Sequence, residues 1–213
     1  MTRHLPRIHP SLLLYWGALL AMLYAFAELA GDVYERERIG FDVPILNWFH
    51  AITTPPLTAL ALTLSFIGSV YILAPAMLIV VLWLWRVSKR SALFFVLGFG
   101  GAVMLNFAAK AFFARLRPDL FAQLSPENSF SFPSGHSMGG AAFFLSLYFV
   151  VRHHAPKWQW LAAVLGLLLT LGISLSRPYL QVHYPSDILA GWALSTLWVL
   201  GVNLWYARAR RGR

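Results

Sequence analysis

The sequence predicts an all-α, polytopic membrane protein, and three observations carry that expectation. The 213 residues are 59% hydrophobic and only 12% charged, well below the ~25% charge content of an ordinary soluble domain. The apolar residues gather into runs of spanning length, separated by short basic or polar stretches. Nine Trp and eight Tyr suit aromatic belts at membrane–water interfaces. No repeat, linker or second domain interrupts the pattern, so residues 1–213 read as a single integral-membrane domain.

Taken in order, residues 1–10 are short and basic, with Arg3 and Arg7. A first span is expected over 11–30. No small-x-small cleavage site follows it, so it reads as a retained helix rather than a signal peptide. After a charged loop (31–41), residues 42–52 carry Val43, Ile45, Leu46, Trp48 and Phe49 but are too short to span. They predict an interfacial helix, ended by Thr53-Thr54-Pro55-Pro56. Residues 57–66 are also short and apolar, a second interfacial or partly inserted segment. The second span is expected over 70–85, closed by Arg86, Lys89 and Arg90. The third covers 91–114, with Gly98, Gly100 and Gly101 allowing close helix contact. A polar loop (116–132) leads to a fourth span over 134–151 and a basic turn (152–157). A fifth span (158–175), a polar loop (176–184) and a sixth span (185–206) follow. Pro185 opens the sixth, where its missing N–H is harmless. Arg208, Arg210, Arg211 and Arg213 form a basic tail.

Charge sets the orientation. With six spans, the termini and the turns at 86–90 and 152–157 share one side, which holds eleven Lys/Arg and no acid. The other side holds six Lys/Arg and all eight acids. The excess of Lys and Arg predicts cytoplasmic termini, with Lys110, Arg117, His136, Arg177 and His183 facing outward, towards the periplasm or cell exterior. The net charge of +9 does not predict a nucleic-acid partner, because the basic residues flank apolar runs and form no broad stripe. The absence of cysteine excludes disulfides, thiol nucleophiles and Cys-based metal sites.

Several chemistry-bearing groups fall on that outward face. Lys110 supplies a point charge, while Arg117 and Arg177 supply forked donors suited to phosphoryl oxygens. Ser134 and the Gly135 N–H add neutral donors at a helix N-terminus, where the dipole favours an anion. His183 and Asp187 are four residues apart; if the sixth helix starts near His183 they share a face, and the carboxylate orients one ring nitrogen. The other nitrogen is then available as a nucleophile, and His136 is free to protonate a leaving oxygen. Singly, each group has a plainer reading. Pro133-Ser134-Gly135 is ordinary turn and capping chemistry, Arg115 and Arg117 alone are interface anchors, and Asp187 alone is a first-turn helix acid. His4, His9, His153 and His154 read as solvated or capping groups, and His50 as structural. Co-location of complementary groups from separate loops favours an anion or phosphate site.

Lys110-x6-Arg117-Pro118, Pro133-Ser134-Gly135-His136 and Ser176-Arg177-x5-His183-x3-Asp187 together resemble the three-part signature of the type 2 phosphatidic acid phosphatase family, complete and in order. The resemblance implies a metal-independent, cofactor-free lipid phosphatase working through a phosphohistidine. It implies His183 as nucleophile, Asp187 as its orienter and His136 as proton donor. Lys110, Arg117, Ser134, Gly135 and Arg177 would hold the phosphate. The stretch Pro126-Glu127-Asn128-Ser129-Phe130-Ser131-Phe132 looks more like the phosphatidylglycerophosphatase B-type branch. The implied substrates are phosphatidylglycerol phosphate, phosphatidic acid and undecaprenyl diphosphate. A lipid A phosphatase, a lipid phosphotransferase, a non-catalytic phosphate-lipid binder and a vanadate-type haloperoxidase are the alternative readings.

Overall fold

The computed structural model describes residues 10–211, with side chains described over 16–208 apart from Ala18. Arg3, His4, Arg7 and His9, and the side chains of Arg210, Arg211 and Arg213, lie outside the described part. No strand occurs among the described residues. The helices are α1 (Pro10–Tyr34), α2 (Asp42–Ala51), α3 (Pro55–Ile67), α4 (Val70–Val87), α5 (Lys89–Phe95), α6 (Gly101–Phe113), α7 (Gly135–His154), α8 (Gln159–Tyr179) and α9 (Pro185–Arg211). A π-helical turn, Val96–Gly100, joins α5 to α6, and a 3-10 turn, Pro156–Trp158, leads into α8.

Among the described residues, four stretches are long and apolar enough to cross a membrane: Val70–Val87, Lys89–Phe113, Pro156–Tyr179 and Pro185–Arg208. Only 11% of the α4 stretch is buried in the protein, against 44% of Lys89–Phe113, so α4 is peripheral. The α7 helix is of another kind. It packs against α8 and α9 through Gly139, Gly140, Ala142 and Ser146, all buried. Small residues let helix backbones approach, and close van der Waals packing holds such bundles together where lipid is as apolar as the core. The Phe143 ring meets those of Phe95 and Phe99 edge-on, each at 5.4 Å between centroids.

Glycines explain how tightly Lys89–Phe113 docks. A Cβ on Gly98 would lie 2.5 Å from Ser146 Oγ of α7, and one on Gly101 2.5 Å from the Trp198 ring of α9. Gly100 meets only Met77 Cε, at an ordinary 3.5 Å. Two of the three glycines expected to permit close contact therefore do so. The apolar pattern gives no signal for the wide π-turn. Trp198 Nε1 donates to the Leu97 carbonyl within it at 2.8 Å, tying the irregular turn to α9.

The structure corrects several boundaries. The α1 helix runs on to Tyr34, past the expected end at residue 30. The α8 helix continues to Tyr179, so Ser176 and Arg177 belong to its last turn rather than to a loop. Their polarity suggests a break, but Ser176 Oγ bonds to the Ile173 carbonyl at 2.6 Å, and Arg177 finds partners on other elements. The α9 helix begins at Pro185, two residues after His183. At the far end of the bundle, His154 Nε2 bonds to Ser91 Oγ at 2.9 Å, and the Tyr206 hydroxyl meets the same oxygen at 2.9 Å. His154 is therefore packed into a side-chain network rather than free in solvent.

Candidate active site

The C-termini of α6 and α8 and the N-termini of α7 and α9 meet at one end of the bundle, roofed by the 114–134 loop. Ala114, at the C-cap of α6, takes a left-handed conformation (φ 46°) and donates its N–H to the Lys110 carbonyl at 3.0 Å. This reversal sends Arg115 and Arg117 back over the helix ends. On the other side of the loop, Ser134 caps α7, its Oγ accepting from Ser137 N at 3.4 Å and Ser137 Oγ at 3.0 Å. Its N–H donates to the Asp187 carbonyl at 3.0 Å, binding the start of α7 to that of α9. Gly135 follows because space is short: a Cβ there would sit 3.1 Å from Asn106 Oδ1. The Asn106 amide in turn donates to the Pro133 carbonyl at 3.1 Å.

His183 and Asp187 meet, though not across one helix face. His183 stands in the turn before α9, with its Nδ1 3.2 Å from Asp187 Oδ2. The same oxygen accepts from Tyr184 N at 2.9 Å and from Ser131 Oγ. Both members of the pair are enclosed, at 1% and 0% exposure. The other ring nitrogen, Nε2, lies 3.1 Å from Arg117 Nη1. An Nδ1–H directed at the carboxylate leaves the Nε2 lone pair toward the guanidinium, a tautomer assigned from these partners. Burial lowers the His183 pKa well below the ordinary value of 6.5, and Arg117 and Arg177 lower it further, so the imidazole is neutral at physiological pH.

Arg177 is fully buried. It donates to Ser65 Oγ of α3 and to Glu127 Oε1, while its Nε finds no partner among the described residues. Arg117 donates from Nη2 to Glu127 Oε2 at 2.6 Å, from Nε to the Ser129 carbonyl at 2.7 Å, and from Nη1 to the Val182 carbonyl at 2.6 Å. His136 Nδ1 lies 3.9 Å from Glu127 Oε1. Lys110 Nζ bonds to the Phe130 carbonyl and reaches Ser129 Oγ at 3.4 Å. A cavity of about 550 Å³ contains Lys110, Gly135, His136 and Glu127 at its polar end and Val70, Leu73, Phe99, Val103 and Phe107 along its apolar length. All eight expected site residues thus come together at one end of the bundle. Lys110, Gly135 and His136 line the cavity, whereas Arg117, Arg177, His183, Asp187 and Ser134 stand behind its lining, the Ser134 oxygen accepting from Ser137 in the cap.

Glu127, Ser131, Arg115, Asp42 and Asn106 also belong to the site, and none of them is expected there from the sequence. Glu127 is one of only eight acids in the chain and lies nine residues before His136, in a loop facing cations. That is a usable signal. Burial raises its pKa, but Arg177 and then Arg117 outweigh this and hold the carboxyl at about 2. The carboxylate is therefore ionised throughout the physiological range, and its pairing stabilises the fold fully above about pH 4.5. That contribution is lost as the pH falls through about 2.

An enclosed His–Asp pair beside two arginines, at the end of an apolar helix bundle, marks a helical membrane protein with a cationic pocket. Residues 91–211 match the family model of the PAP2 superfamily, and the chain belongs to that superfamily. It is 33% identical to phosphatidylglycerophosphatase B of Bacillus subtilis over 84% of this chain and 89% of that protein. It is 29% identical to an undecaprenyl-diphosphatase of Sulfolobus acidocaldarius, over 87% of each chain. The crystal structure of the first transmembrane PAP2 type phosphatidylglycerolphosphate phosphatase from Bacillus subtilis superposes with a TM-score of 0.82 at 27% identity, covering 92% of this chain and 99% of that one.

Proposed function

We propose that this protein is a membrane-embedded lipid phosphatase that removes a terminal phosphate through a phosphohistidine. The observation that carries the reading is His183, paired through Nδ1 with Asp187 and presenting Nε2 to a guanidinium. The relatives named as lipid phosphatases support it. The Nε2 lone pair attacks phosphorus, the bond from phosphorus to the lipid oxygen breaks, and His136, entering as the imidazolium beside the bound phosphate anion, gives that oxygen its proton and becomes neutral. Neutral His136 then takes a proton from a water that attacks phosphorus, the bond from phosphorus to Nε2 breaks, and inorganic phosphate leaves with His183 neutral and His136 protonated again. Arg117, Arg177 and Lys110, with the Gly135 N–H, hold charge on the equatorial oxygens, and the Ser134 hydroxyl, whose oxygen accepts from Ser137, still has its own proton to donate to them. A phosphoryl oxygen would also give Arg177 Nε an acceptor. No metal takes part in this scheme: Arg115 holds Asp187 and two arginines hold Glu127, so these carboxylates are already engaged by guanidinium groups.

The substrate's tails stay in the bilayer while its headgroup enters the polar end of the cavity, the apolar lining of α4 and Lys89–Phe113 guiding it in. The full architecture in this reading is one domain with six spans, α1 and α7 joining the four strongly apolar ones. The 20 residues of α7 are about 30 Å long, enough to cross. Their modest hydropathy follows from facing other helices rather than lipid. The short α2 and α3 lie at the interface, both termini are cytoplasmic, and the site opens outward at the cell membrane. Phosphatidylglycerol phosphate and undecaprenyl diphosphate are the leading substrates, one for each named relative.

The test is phosphate release by the detergent-solubilised protein from a panel of phosphatidylglycerol phosphate, phosphatidic acid, undecaprenyl diphosphate and lipid A. Release from at least one is expected, undiminished in excess chelator. Transfer of phosphate to an acceptor lipid with little free phosphate would replace hydrolysis by phosphotransfer, and loss of activity in chelator would overturn the metal-free scheme.

Glu127 adds a second expectation. Its carboxylate sits among Arg117, Arg177 and His136, where the phosphoryl group is to be held, and so competes with it. Glu127→Gln should tighten inorganic phosphate binding roughly 10-fold, as expected for removal of one charged contact of about 1.5 kcal/mol. Phosphate-dependent thermal shifts of variant and wild type read this out. Weaker binding by the variant would mean that Glu127 orients the arginines instead of competing for them.

A further inference from the structure

We propose that Arg115 and Asp42 are positioning residues that lock the His183–Asp187 pair in register, an inference that rests on His183 being the nucleophile. Asp187 uses its two oxygens differently. Oδ2 faces His183, Ser131 and the Tyr184 N–H. Oδ1 accepts from Arg115 Nη1 at 2.5 Å. Arg115 Nη1 also reaches Ser186 Oγ at 2.8 Å, and Nη2 donates to Asp42 Oδ2 at 2.8 Å. Asp42, the buried first residue of α2, closes the ring by accepting from Ser186 N at 2.9 Å and from Ser186 Oγ at 2.6 Å. The Tyr184 ring packs against the guanidinium, 4.1 Å from its carbon.

The geometry separates Arg115 from Arg117 and Arg177. Both terminal nitrogens of Arg115 are committed to carboxylates, and the guanidinium meets Asp187 through the oxygen that does not face His183. It therefore acts on the reaction through Asp187 rather than on the phosphoryl group. Its planar fork fixes two carboxylates and a hydroxyl at defined angles, which a lysine ammonium does not reproduce. Without it, two neighbouring buried carboxylates would lose their shared countercharge, and Asp187 would be free to turn from the imidazole. Asp42 lies outside residues 91–211, the part matching the family model. The short α2 helix thus becomes part of the catalytic frame.

The experiment measures kcat and KM for phosphate release from phosphatidic acid micelles by wild type, Arg115→Gln, Arg115→Lys, Asp42→Asn, Asp187→Asn, the Arg115→Gln/Asp187→Asn double variant and His183→Ala. Arg115→Gln should lower kcat by about 10²-fold with little change in KM, the loss expected when a reacting group is misplaced by about 1 Å. Arg115→Lys should recover part of it, and Asp42→Asn should lower kcat by roughly 10-fold. In the Asp187→Asn background, Arg115→Gln should cost less than about 2-fold more, since both changes break one unit. Losses that multiply in the double variant, a rise in KM in place of a fall in kcat, or near-wild-type kcat in Arg115→Gln would overturn the proposal. If Arg115→Gln does not fold, the same kcat-only losses in Arg115→Lys and Asp42→Asn carry it, and unchanged kcat in both overturns it. Full activity in His183→Ala would instead overturn the nucleophile on which it rests.

Discussion

Replacement of His183 by Ala is expected to lower phosphate release by about 10⁴-fold or more, the scale on which covalent nucleophiles act. The loss should fall on kcat, because the cations that bind the phosphoryl group remain. The variant should still fold. Among the described residues the imidazole hydrogen-bonds with Arg117, Ser131 and Asp187, and each of these keeps other partners. Trapping gives a sharper readout than turnover. Brief exposure of wild type to radiolabelled lipid phosphate should leave an acid-labile, alkali-stable protein phosphate, as expected of a phosphorus–nitrogen bond. His183→Ala should leave none. Asp187→Asn should retain the label but form it slowly, since the amide no longer holds the imidazole in the right tautomer. Label that persists in His183→Ala, or normal turnover by that variant, would move the nucleophile elsewhere, with His136 the next candidate.

The parts of the site legible in the sequence are those fixed by spacing. Lys110 and Arg117 flank a helix end, Ser134 and Gly135 begin another helix, and His183 and Asp187 straddle the start of a third. Their types and intervals carry the chemistry whatever the packing. The second layer is not legible for the same reason in reverse. Asp42 comes to Ser186 across 144 positions, and nothing near Asp42 in the chain distinguishes it from any acid in a helix's first turn. Arg115 alone reads as an interface anchor because an arginine at a span end commonly is one. Glu127 reads as a loop acid until the fold puts it between Arg117 and Arg177. Helix lengths are misjudged where polar groups are satisfied inside the bundle: Ser176 and Arg177 look like a loop only while their partners are unknown.

That second layer bears on how a site with so much buried charge is held. Three arginines and three carboxylates are interleaved, Arg115 with Asp42 and Asp187, Arg117 and Arg177 with Glu127. The first set is closed on itself and holds Asp187, the partner of His183. In the second, Glu127 lines the cavity, and in the proposed reaction a phosphoryl group would take the place of its carboxylate beside the arginines. Fixed geometry on the His183 side and an exchangeable partner on the phosphate side are what in-line transfer requires of a preorganised pocket.

Arg177 is where the two requirements meet, and Arg177→Lys is the variant that separates charge from shape. Lysine keeps the cation but has one compact ammonium where the guanidinium offers a fork. In this structure the fork reaches Ser65 with one arm and Glu127 with the other, while Nε is unpartnered among the described residues. An ammonium at this position cannot meet Ser65, the loop carboxylate and a phosphoryl oxygen together. The expected result is a fall in kcat/KM of about 10²- to 10³-fold, the cost of losing one oriented donor to developing charge. Wild-type secondary structure and a thermal midpoint close to wild type should accompany it. If the loss appears in kcat with KM unchanged, Arg177 serves the transition state. If it appears in KM alone, Arg177 contributes uniform binding to the phosphate. Near-wild-type kcat/KM in Arg177→Lys would mean that bulk positive charge suffices, and the forked geometry would then have to be assigned to holding Glu127 and α3 in place rather than to the reaction.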